Sequence, residues 1–242
     1  MDGCQEFYAH LLQDFCRYLV TVATKQAGKE PEIGTGVLVR SPGGRHLVAT
    51  AQHCIRHQTH AMRYSDATQG GVVKPHRLAI RSRRWHATLD VGYLEIEDPQ
   101  GPELSWDQLS GERIVPGDVF VIGHPEEPAE IAQWDQSKAA SRSAGVFGMN
   151  LMTENPDRAT FDFPEEGVRY NVVDRTIAPG AYPTTPRGFS GSPCLGVTRS
   201  AEPAAPFQYK LLAIQYAWNR QDCIYAVPIK RWCELVAARG LA

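Results

Sequence analysis

The run Gly188-Phe189-Ser190-Gly191-Ser192-Pro193 sets a serine between two glycines. Glycine freedom permits a tight turn that exposes a hydroxyl. The same turn can aim successive backbone N–H groups at one point, as a developing oxyanion requires. A serine hydroxyl is a weak nucleophile and needs a base, ordinarily an imidazole held by a carboxylate. The eight histidines, at positions 10, 46, 53, 57, 60, 76, 86 and 124, all precede Ser190. That excludes the Ser–Asp–His chain order that follows a Gly-x-Ser-x-Gly elbow, and Ser192 breaks that elbow here in any case. An Asp–His–Ser order needs an aspartate ahead of the base, and only Asp2 and Asp14 precede His53, in or before the first expected helix. The order His–Asp–Ser remains.

His53 ends the run Val48-Ala-Thr-Ala-Gln-His-Cys54, where a strand can hold a base rigidly. Asp90 heads Leu89-Asp-Val-Gly-Tyr-Leu-Glu-Ile96, where apolar neighbours would partly bury a carboxylate. Their spacing lets His53 and Asp90 share one β unit while Ser190 sits on a second, with a cleft between the two.

At these three places the chain resembles the chymotrypsin-like (trypsin-like) serine peptidases. The carriers are Thr50-Ala-Gln-His-Cys54, Leu89-Asp-Val-Gly-Tyr-Leu94 and Gly188-Phe-Ser-Gly-Ser-Pro193, in order and with compatible spacing. Gly34-Thr-Gly-Val-Leu-Val39, Gly117-Asp-Val-Phe-Val-Ile-Gly-His-Pro125 and Tyr225-Ala-Val-Pro-Ile229 are most similar to the bacterial, HtrA-like branch. The resemblance runs from about Arg17 to the C-terminus. It implies an all-β, two-β-barrel chymotrypsin-like fold and a peptidase acting by acyl transfer on a protein or peptide substrate. Ser190 would be the nucleophile, His53 the general base and acid, and Asp90 the group that fixes the imidazole tautomer. The N–H groups of Gly188 and Ser190 would form an oxyanion hole worth about 3 kcal/mol per donor. No cofactor or metal is implied.

The chain departs from the family pattern in several ways. In the digestive members an aspartate before the serine captures a freed N-terminal amine; Phe189 stands here and cannot, so activation by N-terminal clipping is not expected. Cys54 would ordinarily pair with a cysteine in the region that Ile33 and Gly34 occupy, and Pro186 stands where another disulfide often begins. The base of the primary specificity pocket would be Thr184, with Ala217, Trp218 and Cys223 along its walls. Threonine offers no counter-charge to Arg or Lys, and an inward Trp218 would favour a small side chain. A regulatory protein partner is expected in place of clipping. The competing readings are a catalytically silent protease-like binding module and an esterase using the same residues.

The rest of the chain must supply the scaffold. It has 242 residues, 43% apolar and 21% charged, with 21 Gly and 17 Pro to punctuate short strands. With 25 Lys plus Arg against 27 Asp plus Glu, the net charge of −2 gives no bias toward nucleic acid. No apolar run nears the roughly 18 residues of a membrane span, and the start, Met1-Asp2-Gly3-Cys4-Gln5-Glu6, lacks the pattern of a secretory signal. Six cysteines without a Cys-x-x-Cys read as mostly buried or free thiols in a reducing compartment, and the expected compartment is cytoplasmic. His53, Cys54, His57 and His60 match no zinc-ligand spacing. Arg81-Ser-Arg-Arg-Trp-His86 reads as a solvated sheet edge.

Phe7, Leu11, Leu12 and Phe15 recur at helical spacing, which predicts an amphipathic helix over residues 5–14, taken to pack on the first barrel. Strands are expected at 18–24, 34–39, 46–50, 78–80, 91–96, 118–122, 160–163, 170–173, 208–216 and 223–227. Ile229, Trp232, Cys233 and Val236 predict a closing helix that ends by Gly240. The expected divisions are residues 1–16 for the helix, 17–105 for the first barrel and 106–242 for the second barrel with the closing helix.

Overall fold

The computed structural model describes residues 3–29, 31–64, 75–111, 114, 119–125, 143–162, 167–171, 176–178, 187–199, 207–219 and 223–241. After helix α1 (Gly3–Phe15) come β1 (Leu19–Lys25), β2 (Glu32–Arg40), β3 (His46–Thr50), β4 (Gln58–Tyr64), β5 (Pro75–Leu78), β6 (Ile80–Trp85), β7 (Gly92–Ile96) and β8 (Leu104–Ser105). A second series follows: β9 (Val119–Gly123), β10 (Ser143–Met149), β11 (Leu151–Asn155), β12 (Arg158–Asp162), β13 (Gly167–Asn171), β14 (Thr176–Ala178), β15 (Pro193–Arg199), β16 (Phe207–Asn219) and β17 (Cys223–Pro228). Helix α2 (Ile229–Ala237) follows β17 directly.

The first eight strands form one sheet in the order β5-β4-β1-β2-β3-β7-β6, with β8 beside β2. The other nine form a second sheet, β11-β12-β17-β16-β15-β9-β10-β13-β14. Except for the short β2–β8 pairing, every named strand pair is antiparallel, so the chain can build each sheet through short turns. The basic run 81–86 lies on and just beyond β6, an edge strand of the first sheet, where its charges discourage further strand pairing.

Alternation sorts each strand's side chains into two layers. Val20, Val22, Leu38, Val48, Ile55 and Leu94 fill the first sheet's own core, while Val119, Val121, Phe147, Phe161 and Ile224 fill the second's. A third, larger cluster joins them, with Val37, Tyr93, Phe120, Val146, Leu211 and Trp232 in contact across the sheets and both helices. The second sheet thus has apolar side chains on both faces of β9 and β10.

Helix α1 docks differently from the sequence expectation. It lies against β10 and β13 of the second sheet, not on the first. Leu11, Leu12 and Phe15 are fully buried, the Phe7 ring meets Phe120 and Phe207 at 5.5 and 5.6 Å, and the Tyr209 hydroxyl donates to Asp14. Aromatic side chains on β9 and β16 give this helix an apolar surface to pack against. Helix α2 buries Ile229, Trp232 and Val236, the spacing read in the sequence.

Candidate active site

His53 follows β3 in a tight turn, in which Cys54 N donates to Ala51 O at 3.2 Å and Ile55 N to Gln52 O at 3.0 Å. Asp90 stands just before β7 in a short loop that His86 organises. The His86 Nδ1 accepts from the backbone N–H of Leu89 at 3.1 Å, and His86 N donates to Val91 O at 2.9 Å. Behind this segment the Trp232 indole N–H donates to Gly92 O at 3.0 Å, so α2 braces the strand that carries the carboxylate. Since β3 and β7 are paired neighbours, the two side chains meet at the same end of the sheet.

The contact is two-pronged. Asp90 Oδ2 lies 2.7 Å from His53 Nδ1, and Asp90 Oδ1 accepts the His53 backbone N–H at 2.9 Å. This leaves Nε2 as the free ring nitrogen. Burial alone would lower the pKa of the imidazole, but the Asp90 hydrogen bond, helped by Cys54, raises it from 6.5 to about 10. Burial would likewise raise the pKa of Asp90, yet the hydrogen bond and charge of His53 hold it below its ordinary value.

Ser190 lies in the turn between Arg187 and β15. Gly188 and Gly191 have φ of +87° and +91°, which side chains other than glycine rarely adopt. Backbone bonds lock the turn from both sides. Ser192 N donates to Phe189 O at 2.8 Å and Gly191 N to Gln215 O at 2.7 Å, while Gln215 N donates to Ser192 O at 2.9 Å. Thr35 of β2 holds the turn's carbonyls: its N–H reaches Ser190 O at 2.7 Å and its hydroxyl reaches Gly188 O at 2.8 Å. Among the described residues, neither the Gly188 N–H nor the Ser190 N–H has an acceptor. Both amides stand in the turn that carries the serine hydroxyl.

His53, Ser190, Gly188, Cys54 and Trp218 line one open cleft of about 540 Å³, with Lys29, Glu32 and Arg187 on its walls. The Ser190 hydroxyl makes no hydrogen bond to His53, although the two side chains line the cleft together; such bonds commonly tighten only on substrate. Ala217 pairs with Tyr225 at a bulge between β16 and β17. Cys223 begins β17 with its sulfur 3.8 Å from Met152 Sδ, and neither it nor Ala217 is among the residues lining the cleft. Thr184 lies outside the described residues. No group of His, Cys, Asp and Glu among the described residues is arranged to hold a metal ion.

The missing partner of Cys54 has a geometric counterpart. A Cβ built on Gly34 would stand 2.5 Å from Cys54 Sγ and 2.9 Å from Ser190 O. The buried thiol, which donates to Ser190 O at 3.5 Å, fills the room that a side chain at position 34 would need. Among the described residues, Cys54, Cys194, Cys223 and Cys233 form no disulfide.

Two antiparallel sheets of this topology, joined by one core and flanked by terminal helices, are a two-barrel chymotrypsin-like fold. The chain belongs to the trypsin-like peptidase domain family, whose profile matches residues 34–199. Among solved structures it is similar to Rv3671c from M. tuberculosis H37Rv, the inactive form of a serine-to-alanine mutant, with a TM-score of 0.53 and 15% identity over 96% of this chain and 92% of that one. It is similar also to the MamO protease domain from Magnetospirillum magneticum, with a TM-score of 0.50 and 15% identity over 91% and 96% of the two chains. Mouse neuropsin, a serine protease expressed in the limbic system of the brain, aligns with a TM-score of 0.53 and 11% identity over 93% and 94%. No curated protein matches the chain. Among the described residues no helix is long and apolar enough to cross a membrane.

Proposed function

We propose that the protein is a serine endopeptidase that cleaves protein or peptide substrates through an acyl-enzyme. The observation that carries this reading is the single cleft shared by Ser190 and an imidazole whose Nδ1 is held 2.7 Å from Asp90. Ser190 Oγ attacks the carbonyl carbon, and its proton passes to His53 Nε2. The carbonyl oxygen, now negative, takes hydrogen bonds from the free N–H groups of Gly188 and Ser190. His53 then gives the proton to the leaving amine. A water, deprotonated by the same nitrogen, releases the acyl group and restores Ser190. Asp90 keeps the ring in the required tautomer throughout.

In this reading residues 17–105 supply the base and carboxylate, and 106–242 supply the nucleophile. Trp218, which lines the cleft, would wall the primary pocket, to which the resemblance also assigns Thr184, Ala217 and Cys223, and such a pocket would favour small uncharged side chains. A protein partner, in place of N-terminal clipping, governs activity, since Phe189 cannot take an N-terminal amine. The reading fits a cytoplasmic setting, in which free thiols persist.

Labelling with a fluorophosphonate probe tests it, together with cleavage of a fluorogenic peptide library. The wild-type chain should label and cleave, while Ser190→Ala should do neither. No labelling of the wild type across pH and salt would favour a silent binding module. Labelling with hydrolysis of acyl esters but of no peptide would favour an esterase.

A further inference from the structure

The sequence leaves the turn at Phe189 without its usual ionic anchor, and the fold supplies something in its place. The Phe189 side chain points away from the cleft into the core of the second sheet and is 2% exposed. Its ring lies over β9 and β10 at two positions that have no side chain. A Cβ on Gly145 would come within 2.9 Å of Phe189 Cζ, its nearest neighbour, and a Cβ on Gly123 within 2.9 Å of Phe189 Cδ1 and closer still to the Ser192 hydroxyl. Neither glycine has a positive φ; what they provide is room. The Phe147 ring closes the slot at a centroid distance of 5.0 Å.

The two strands that form the slot are backed on their other face. Gly145 and Phe147 alternate with Val146 and Gly148, and Val146 belongs to the large shared core. On that face α1 presses Phe7 and Tyr8 onto Phe120 at 5.5 and 5.9 Å. A Cβ on Gly148 would meet the Tyr8 hydroxyl at 2.5 Å. Helix, strand pair and ring are thus three packed layers, and the ring is covalently next to both Gly188 and Ser190.

We propose that Phe189 is the positioning residue of the catalytic turn: its ring, plugged into the slot of Gly123, Gly145 and Phe147, holds the Gly188 and Ser190 N–H groups facing the cleft without any ion pair. The proposal rests on the serine-peptidase reading only for its catalytic consequence. The mechanical part, that the plug orders the turn, stands by itself. Emptying the slot leaves the Phe189–Ser190 peptide unit tied, among the described residues, only by the Ser192 N–H on Phe189 O, so the Ser190 donor loses its aim first and the Gly188 donor follows through the turn.

Two variants and two readouts test it. Phe189→Ala should lower kcat by about 100-fold or more, the loss typical of one oxyanion donor, with KM within about threefold of wild type. Phe189→Leu, which still fills the slot, should recover most of that loss. Gly145→Ala should reproduce the defect by pushing on the ring, and adding Phe189→Leu to Gly145→Ala should restore activity, the coupling expected of residues in contact. If Phe189→Ala does not fold, the Gly145 pair decides alone. Native-state hydrogen exchange reads the turn without any activity: the Gly191 and Ser192 amides should exchange at least tenfold faster in Phe189→Ala. Unchanged exchange, or a Gly145→Ala defect that Phe189→Leu does not relieve, overturns the proposal. An inactive wild type whose Gly191 and Ser192 amides still respond to the plug would sink the peptidase reading and leave the plug standing.

Discussion

Replacing Asp90 by asparagine removes one charge while keeping the side chain's shape, and its effect can be worked out from the pair with His53. On the serine-peptidase reading, kcat/KM of the free enzyme follows the fraction of imidazole that is neutral, because only that form would accept the Ser190 proton. With the ring's pKa raised to about 10, roughly one ring in a thousand is neutral at pH 7. kcat/KM should therefore still be climbing at pH 7 and level off above it, no later than about pH 10. The His53 side chain is 37% exposed, and water screens exposed pairs, so the plateau arrives earlier than a dry site would give but stays above 6.5. In Asp90→Asn the limb returns toward 6.5 and the plateau falls by on the order of 10⁴-fold, the cost of a misoriented or wrong-tautomer ring. Stability carries the same signature in a Ser190→Ala background, where self-cleavage cannot interfere. His53, with a raised pKa, contributes fully below 6.5 and loses its contribution as pH rises through about 10. Asp90, with a lowered pKa, contributes above 3.8 and loses it as pH falls. Adding Asp90→Asn to that background should thus lower the melting temperature most from pH 3.8 to 6.5 and less on both sides. Stopped-flow acylation and calorimetry across pH 3–11 would measure both. Identical apparent pKa values with and without the substitution, or plateaus within tenfold of each other, would refute the reasoning.

Gly34→Ala should destabilise the protein by about 1–3 kcal/mol through overpacking, since its methyl meets both Cys54 Sγ and the Ser190 carbonyl; adding Cys54→Ala should return part of that loss in thermal melts, and a fully stable Gly34→Ala would contradict the close approach. Trp232→Phe should cost about 2 kcal/mol in urea unfolding, because Gly92 O loses its buried donor, and the loss should appear in the denaturation midpoint without a change of slope.

Much of this architecture is readable from residue order. The hairpin 34–50, the run 91–96 and the face of α2 carry undisturbed periodicity, and the structure has β2, β3, β7 and α2 there. Strand β10 escapes detection because Gly145 and Gly148 dilute its β signal. They are glycines because the Phe189 ring and the Tyr8 hydroxyl take the space of their side chains, a reason that lies far away in sequence. Strand β15 opens with Pro193, tolerable as a first strand residue but a mark of a turn when read locally. Strand β4 is polar and partly exposed, so its pairing with β1 and β5 has no apolar alternation to announce it. For α1 the periodicity identifies a buried face but not its partner, and the aromatic surface of Phe120, Phe207 and Tyr209 took it to the second sheet. At the candidate site, flanking residues and order single out His53, Asp90 and Ser190, of which the fold brings His53 and Asp90 into contact and His53 and Ser190 into one cleft. His86, which shapes the Asp90 loop, and the Thr35 contacts to the turn were not, because each depends on a neighbour brought near only by folding.

An aromatic ring in a glycine slot behaves unlike an ammonium–carboxylate latch. It carries no charge, so brine that screens an ion pair over about 10 Å leaves it untouched, and no proton can release it. Its grip comes from apolar burial, which weakens on cooling. A chain built this way keeps its turn set through swings of salinity and acidity, and its vulnerable direction is toward the cold.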